Sequence, residues 1–448
     1  MPNRVAFNAR GPEIHQSDAL YARAAGLVPA HTQTLAKGPT QYTRGFAPKY
    51  AARGQGAHLW DVDGNEYIDY VMAVGPVSLG YACPPIDEAI CNQLEDGITF
   101  SLMHPLEVEV AELLRQIVPG AESVRFAKTG AEVTSAAVRL ARAFTGRTKV
   151  LCCGYHGWHD WYIGVTDRSM GVPPAVQDLT FTVEYNDIAS VEAALDDDVA
   201  CVILEPATFE EPRDGFLHEL ARLCRANGTL LVFDEMWTGF RIALGGAQER
   251  FGVTADLACF SKAIANGMPL AALTGRQDVM AMLEKDVFFF STFGGETLSL
   301  AAAKATIHEM RTRDVIGHLA RLGRALKDGY NAIARELHMD YTSCIGLDAR
   351  TLVTFGAGAA PPLLMKTFVQ QELIRRGILW SGTHNLCFSH DDEDVDHTIA
   401  AYFEVLALLR DAVAHDTLAA QLEGEPLEPV FRRTSHFHTK PAPTGARP

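Results

Sequence analysis

Short apolar runs that alternate with helical patterns constrain the fold of this chain more than any other feature. Several runs are apolar at every position, which is typical of strands buried on both faces of a sheet. Between them, the pattern over 131–145 places small and apolar side chains on one helical face, and Gly146 follows as a helix end. The alternation predicts an α/β fold with a mostly parallel sheet and helices on both sides. The predicted strands cover 123–126, 149–153, 200–204, 229–233, 257–260 and 270–274.

The patterns outside these strands divide the chain further. The predicted parts are an N-terminal segment of a small domain (1–75), a large domain (76–312), a smaller α+β C-terminal domain (313–424) and a loosely ordered tail (425–448). In the first part, 59–70 is typical of a hairpin whose two strands flank an Asp-Gly-Asn turn. The tail is rich in Pro, Arg, His and Thr. Further predicted helices cover 85–96, 105–118, 314–337, 363–376 and 393–414, with short strands between 342 and 355.

Charge and cysteine usage disfavour several classes of partner and compartment. The 448-residue chain carries a formal charge of −16 without a run of Lys or Arg, which argues against nucleic acid and anionic membranes as partners. Its nine cysteines include no Cys-x-x-Cys pair, and most lie in apolar surroundings, as in proteins of a reducing compartment. No metal site is supported. No run is apolar enough for a signal peptide or a membrane span, so a cytoplasmic location is expected.

Two reactive side chains follow predicted strands. Asp234 ends the strand 229–233, and Lys262 comes 28 residues later, just after the strand 257–260. Ligands of open α/β sheets bind beyond the carboxyl ends of the strands, where both residues are expected. A lysine amine forms a Schiff base with pyridoxal phosphate (PLP), and an aspartate pairs with its pyridine nitrogen and keeps that nitrogen protonated. Taken singly, such residues are more often a surface lysine and a helix N-cap, so the prediction of PLP depends on the combination.

A phosphate site is predicted where the strand 123–126 leads into the helix 131–145. Thr129, Gly130 and Ala131 form a glycine-containing turn at the helix start. Free N–H groups and the helix dipole make such an N-terminus suitable for a dianion, and the Thr129 hydroxyl is expected to add a donor. An ordinary capped helix has the same pattern, so this signal is weak by itself.

A site for the pyridine ring is predicted after the strand 149–153, in the sequence Gly-Tyr-His-Gly-Trp-His. Tyr155 is expected to stack on the ring, and Met236 to close its other face. His156 and His159 have the spacing of metal ligands, but no third ligand or acidic partner is found near them in the sequence. Aromatic packing is therefore the favoured role for most of this cluster, and core packing is the alternative for Met236.

Five motifs together resemble the class III PLP-dependent aminotransferases of fold type I, and within them the branch that contains glutamate-1-semialdehyde 2,1-aminomutase. The resemblance extends over about 35–415. It implies a homodimer with shared active sites, in which Asp234 pairs with the pyridine nitrogen, Lys262 carries the Schiff base and Tyr155 stacks on the ring. It also implies that Thr292 reaches the phosphate of the partner subunit, and that Glu205 supports the cofactor site. The motifs are Thr-Gly-Ala-Glu (129–132), Gly-Tyr-His-Gly (154–157), Leu-Glu-Pro (204–206), Asp-Glu-Met-Trp-Thr-Gly-Phe-Arg (234–241) and Ser-Lys-Ala-Ile-Ala-Asn-Gly (261–267).

The residues that contact the substrate in the family are matched less completely in this sequence than the residues that contact the cofactor. Ala131 stands where the family usually has Ser or Thr, so one hydroxyl donor to the phosphate is lost. Arg44 matches the arginine that binds the substrate carboxylate in the aminomutase, although an exposed arginine explains the residue equally well. A tryptophan that the aminomutase places near its substrate corresponds to Val74, and a carboxylate corresponds to about Gly382.

These observations predict an aminotransferase that moves an amino group from a small-molecule donor to a small keto or aldehyde acceptor by a ping-pong mechanism. The acceptor is expected to be a keto-sugar or an intermediate of specialised metabolism. A 2,1-aminomutase is the main alternative, supported by Arg44 and opposed by Val74 and Gly382. Nothing selects a racemase or decarboxylase, and the retained cofactor residues disfavour a non-catalytic protein. A Rossmann dehydrogenase is disfavoured because no Gly-x-Gly-x-x-Gly follows the first strand.

Overall fold

The computed structural model describes residues 11–429 and 438–440, which belong to two compact units. The first unit contains the described residues up to Cys83 and those from Gly317 to residue 429. The second contains Pro84–Ile316 together with 438–440. Within the described parts of the chain, no helix has the length and apolar character needed to span a bilayer.

Helices and strands alternate through most of the chain. The strands are β1 (Ala51–Gln55), β2 (His58–Asp61), β3 (Glu66–Asp69), β4 (Ser123–Ala127), β5 (Lys149–Cys153), β6 (Thr180–Thr182), β7 (Val199–Leu204), β8 (Leu230–Asp234), β9 (Leu257–Phe260), β10 (Ala271–Gly275), β11 (Thr342–Leu347), β12 (Arg350–Phe355), β13 (Ile378–Leu379) and β14 (Thr383–Asn385). The helices are α1 (His15–Ala24), α2 (Pro84–Asp96), α3 (Pro105–Ile117), α4 (Gly130–Thr145), α5 (Asp160–Ile163), α6 (Pro174–Gln177), α7 (Ile188–Ala194), α8 (Phe216–Asn227), α9 (Gly246–Phe251), α10 (Gln277–Met280), α11 (Thr297–Thr312), α12 (Val315–Glu336), α13 (Pro362–Arg375) and α14 (Asp392–Ala414).

The second unit is built on a seven-stranded sheet in the order β4-β10-β9-β8-β7-β5-β6. The strands from β9 to β6 pair in parallel, whereas β10 is antiparallel to both β9 and β4. Every residue of β7 and β8 is buried, as their continuous apolar sequences predict. The mostly parallel α/β sheet expected from the sequence is therefore confirmed. β6 was not predicted, because three residues are too few to show a strand periodicity.

Helix α4 illustrates how the sequence sets the position of an element. Its buried face includes Val133, Ala137, Leu140 and Ala141, at spacings of three and four residues. Gly146 ends the helix in the left-handed conformation with φ of 68°, which costs glycine little because it has no Cβ. Since α4 begins three residues after β4 ends, its N-terminus lies at the β4–α4 turn, where a phosphate site was predicted.

The first unit contains two smaller antiparallel or mixed sheets. The predicted hairpin is confirmed as β2 and β3, which pair in antiparallel register around a turn in which Gly64 has φ of 92°. β3 also pairs in parallel with β13, so this sheet has the order β1-β2-β3-β13. The other sheet has the order β11-β12-β14.

His384, in β14, is expected to make the first unit sensitive to acid. Its side chain is fully buried, with the two ring nitrogens 2.7 Å from the hydroxyls of Thr351 and Tyr402. Burial, reinforced by His390, lowers the pKa of His384 to about 3. Above pH 6.5 the ring is neutral in both folded and unfolded chains. As the pH falls from 6.5 towards 3, only the unfolded chain takes up the proton, so we expect the free energy of unfolding to fall by up to about 1.4 kcal/mol per pH unit.

The pH dependence of the thermal unfolding midpoint between pH 7.5 and 5 measures this effect. We expect H384N to unfold at a lower temperature at pH 7.5, because two hydrogen bonds change, but to show a shallower decline with acid. H218N alters an exposed histidine and serves as the control, with the parent's slope. A parent-like slope in H384N would contradict the prediction.

Candidate active site

Asp234 and Lys262 lie at the carboxyl ends of two adjoining strands. Asp234 is the last residue of β8 and pairs in register with Cys259 of β9, and the Glu235 N–H donates to the Cys259 carbonyl at 2.9 Å. Lys262 begins a 3₁₀ turn two residues after β9. Its φ of 48° is left-handed, a costly conformation for a side chain with a Cβ. The expected placement of both residues at one edge of the sheet is thus observed.

The Asp234 carboxylate is buried and has two hydrogen-bond partners in the protein. Oδ1 accepts a hydrogen bond from the Met236 N–H at 3.1 Å, and Oδ2 lies 2.8 Å from Nδ1 of His156. The other ring nitrogen of His156, Nε2, lies 3.1 Å from the Cys153 carbonyl. Since that carbonyl can only accept, Nε2 must carry a proton. The contacts of the two ring nitrogens fix the orientation of the His156 ring against the Asp234 carboxylate.

This contact corrects the interpretation of His156. From the sequence, aromatic packing was the favoured role for His156 because no acidic partner lies near it in the chain. The structure pairs it with Asp234, 78 residues further along. Ring packing is also present, because His156 stacks on Trp161 with a centroid distance of 6.0 Å. The sequence did place His156 just after β5. Because β5 and β8 end at the same edge of the sheet, this position could have indicated a contact with Asp234.

The start of α4 offers backbone donors. Within the described residues, no acceptor is recorded for the N–H groups of Gly130 and Ala131. Glu132 forms a capping box in which its Oε2 accepts from the Thr129 N–H at 2.7 Å and from the Thr129 hydroxyl at 3.1 Å. The Thr129 hydroxyl proton is therefore directed to Glu132, and the backbone of Gly130 and Ala131 is left as the donor pair for an anion.

Two glycines let the α4 turn approach the residues around it. A Cβ on Gly130 would lie 2.8 Å from the Met236 sulfur, and a Cβ on Gly157 would lie 2.7 Å from the Ala131 Cβ. Both distances are too short for real contacts. The turn that carries the free N–H groups thus touches the segment after Asp234 on one side and the Tyr155–Gly157 loop on the other.

Glu205 holds that loop from the end of β7. Its Oε1 accepts a hydrogen bond from the Tyr155 N–H at 2.8 Å, and a Cβ on Gly154 would lie 2.8 Å from the same oxygen. The Tyr155 ring meets Tyr162 edge to face, with a centroid distance of 5.6 Å. Glu205 therefore holds the loop that carries Tyr155 through the loop's backbone.

Thr292 lies on an exposed segment of the second unit. Phe288, Phe290 and Phe293 flank it and are 73%, 58% and 57% exposed. Three large aromatic side chains in one short exposed segment are unusual on a monomer surface.

Arg44 belongs to the first unit, as do Val74 and Gly382. Its guanidinium lies 2.6 Å from the Glu425 carboxylate and 3.3 Å from that of Glu428. Arg44 also lines a cavity of about 440 Å³ in that unit. An anionic ligand of Arg44 therefore has to compete with two carboxylates.

Comparison with known families identifies the protein class. A family model described as class-III aminotransferase matches residues 42–342. The chain belongs to the class III aminotransferases. It is 35% identical over 409 residues to the 3-aminobutyryl-CoA aminotransferase of Cloacimonas acidaminovorans, covering 88% of this chain and 97% of that one. It is 38% identical over 372 residues to the glutamate-1-semialdehyde 2,1-aminomutase of Methanothrix thermoacetophila, covering 79% and 85%.

A solved structure of the PLP internal aldimine form of the FumI protein of Sphingopyxis sp. MTA144 has the same fold. The TM-score is 0.83 at 28% identity, and the alignment covers 92% of this aminotransferase and 99% of that chain. The PLP-dependent transferase fold expected from the resemblance is confirmed, and so are PLP as the cofactor and the assignment as an enzyme.

The second unit fits this cofactor. The paired N–H groups of Gly130 and Ala131 suit a phosphate, while the buried Asp234 carboxylate suits a cationic ring nitrogen. Gly130 packs against Met236, and Gly157 packs against Ala131. These contacts bring the backbone donors of the α4 turn close to the segment that follows Asp234.

Proposed function

We propose that this aminotransferase transfers an amino group from a small-molecule donor to a small keto or aldehyde acceptor by a ping-pong mechanism. The observation that carries the proposal is the placement of Lys262 and Asp234 at the ends of β9 and β8, with His156 bonded to Asp234. A keto-sugar or a specialised metabolite is the proposed acceptor. The nine described thiols are free, which suits the cytoplasm as its location.

The cofactor residues divide into three groups. The Gly130 and Ala131 N–H groups hold the phosphate, with Thr129 shaping the turn through Glu132. Tyr155 and Met236 would contact the two faces of the ring, and Glu205 fixes Tyr155 through its backbone. His156 orients the Asp234 carboxylate. When bound, PLP supplies an electron-withdrawing ring that stabilises negative charge at the reacting carbon.

Lys262 and Asp234 perform the steps that belong to the protein. The Lys262 amine would hold the cofactor covalently at rest. Once free, the same amine would act as the base and acid that moves a proton from the donor carbon. The Asp234 carboxylate would pair with the ring nitrogen and favour its protonated form, which would support electron withdrawal. The Met236 N–H and His156 hold its two oxygens in place, so little reorganisation is needed during the reaction.

A 2,1-aminomutase is the second candidate. Arg44 and the aminomutase relatives support it, and Val74 and Gly382 oppose it. Glu425 and Glu428, which already pair with Arg44, also weaken the case for Arg44 as a substrate-carboxylate site.

The visible absorption spectrum of the holoenzyme, recorded with single amino donors, separates the two candidates. A donor that shifts the near-visible band to shorter wavelength, and releases its own keto product, completes a half-reaction and supports the aminotransferase. A stoichiometric yield of rearranged amine from an amino aldehyde, with no second substrate, would establish the aminomutase instead. A protein that shows no band after PLP is added would overturn both.

We further propose that the enzyme is a homodimer in which Thr292 reaches the phosphate of the partner subunit's cofactor. The exposed aromatic segment around Thr292 supports this, because an interface would cover it. F290E is expected to produce monomers, since a buried charge at an interface is costly, and to weaken PLP binding. Sedimentation and PLP titration measure both effects.

Two further variants make that prediction specific. M170E alters a fully exposed methionine elsewhere in the same unit and is expected to leave the dimer intact. T292A is expected to keep the dimer and lose only PLP affinity. A dimeric F290E protein with normal PLP binding would contradict the proposal.

A further inference from the structure

Residues 438–440 contact the outermost strand of the large sheet. β6 pairs with β5 on one side only, and the His438 carbonyl accepts a hydrogen bond from the Thr182 N–H at 2.8 Å on the other. The His438 N–H donates to the Thr182 hydroxyl at 3.3 Å, and its Nδ1 lies 2.6 Å from the Thr180 carbonyl. Its ring stacks on Phe181, with centroids 5.2 Å apart and planes 8° apart. An exposed strand edge otherwise has unpaired groups, and this segment satisfies some of them.

Lys440 fixes the other end of the segment. Its side chain is 7% exposed, and its amine donates to the Ala194 carbonyl at 3.0 Å and to the Asp196 carboxylate. Thr439, between the two anchors, is exposed and has no side-chain contact recorded in the described residues. The segment is therefore held by His438 and Lys440.

β6 is connected to the loop that carries Tyr155 and His156. The Thr180 hydroxyl donates to the Trp161 carbonyl at 2.6 Å, and Trp161 stacks on His156. The Tyr162 hydroxyl donates to the Gly154 carbonyl at 2.8 Å, and the Tyr162 ring meets both Tyr155 and His156 edge to face. The short helix α5 thus packs against the ring loop while its backbone is bonded to β6.

We propose that 438–440 act as a C-terminal clamp that holds β6, and through α5 the Tyr155–His156 loop, in the conformation that binds PLP. The inference rests on the proposed roles of Tyr155 and His156. A few hydrogen bonds, one ring stack and one ion pair oppose the entropy cost of ordering the segment, so removing two of its side chains is expected to favour the undocked state. The segment 438–440 is either docked on β6 or undocked, and the conformation of the Tyr155–His156 loop is expected to change with that state. His438 and Lys440 are positioning residues, since neither touches the cofactor site.

The test compares the holoenzyme with the double variant H438A/K440A by hydrogen exchange and by the rate of PLP release. We expect faster exchange in peptides that cover 180–182 and 154–163, and PLP release faster by on the order of tenfold, the effect of losing about one hydrogen bond. T439A is the matched control and is expected to match the parent. K440R keeps the ion pair and His438, and is expected to retain most of the protection that the double variant loses.

Two results would overturn the clamp. Unchanged exchange at 180–182 in the double variant would show that the segment does not hold β6. Faster exchange there, with parent-like exchange at 154–163 and parent-like PLP release, would show that it covers the strand edge without acting on the cofactor loop. Failure of the proposed function is distinguishable, because a parent protein that binds no PLP would still give a result at 154–163.

Discussion

K262A is expected to lose amino transfer while the protein stays folded. Without the amine, no group is left at the end of β9 to move the proton between the donor carbon and the cofactor. Loss of general acid–base catalysis alone costs about 10²–10⁴-fold, and loss of the covalent resting state adds to it. Lys262 has φ of 48°, and an alanine at this position has the same unfavourable backbone conformation. The substitution is therefore not expected to raise the free energy of unfolding.

Turnover with a productive donor, together with the mass of the borohydride-reduced protein, measures this prediction. The parent is expected to gain the mass of reduced cofactor, whereas K262A gains none. K285A removes an exposed lysine of the same unit and is expected to behave as the parent in both respects. Substantial amino transfer by K262A would remove Lys262 from its role.

The sequence could predict the positions of Asp234 and Lys262 because both follow strands whose apolar residues are contiguous. Once the strands are known, parallel pairing brings their carboxyl ends to the same edge. The α4 turn was predictable for the same reason, since β4 leads directly into an amphipathic helix with a glycine at its start. The strand ends and the α4 turn are predictable because each depends on the pattern of residues within one short segment of the sequence.

The contacts between distant segments could not be predicted in this way. His156 and Asp234 lie at the ends of β5 and β8, which β7 separates, so their contact depends on strand order rather than on spacing. The Thr129 hydroxyl was expected to donate to the phosphate, but it donates to the Glu132 carboxylate. Helix propensities do not predict which of these two acceptors the hydroxyl binds. β6 is three residues long and shows no strand periodicity in the sequence. Its contact with residues 438–440 at the edge of the sheet could therefore not be predicted either.

D234N is expected to retain the fold and lose activity by roughly 10²–10³-fold or more, the usual cost of removing one preorganised electrostatic partner. The amide keeps the shape of the carboxylate, but it has no charge to hold the ring nitrogen protonated. The amide oxygen can still accept from the Met236 N–H, but an NH₂ group rather than a carboxylate oxygen then faces Nδ1 of His156. The rate of the donor half-reaction and the pH dependence of the bound cofactor's spectrum measure the effect.

E235Q is the informative comparison because it makes the same chemical change one residue away. Glu235 is fully buried, and burial raises its pKa to about 7, while its oxygens accept from the N–H groups of Ala247 and Gln248. We expect E235Q to lower the free energy of unfolding by about 1–3 kcal/mol, since one backbone donor loses its acceptor. Its rate per bound cofactor should stay near that of the parent. Equal losses of rate in both variants would mean that Asp234 acts through the stability of the β8 turn, and near-normal activity in D234N would remove it from the cofactor site.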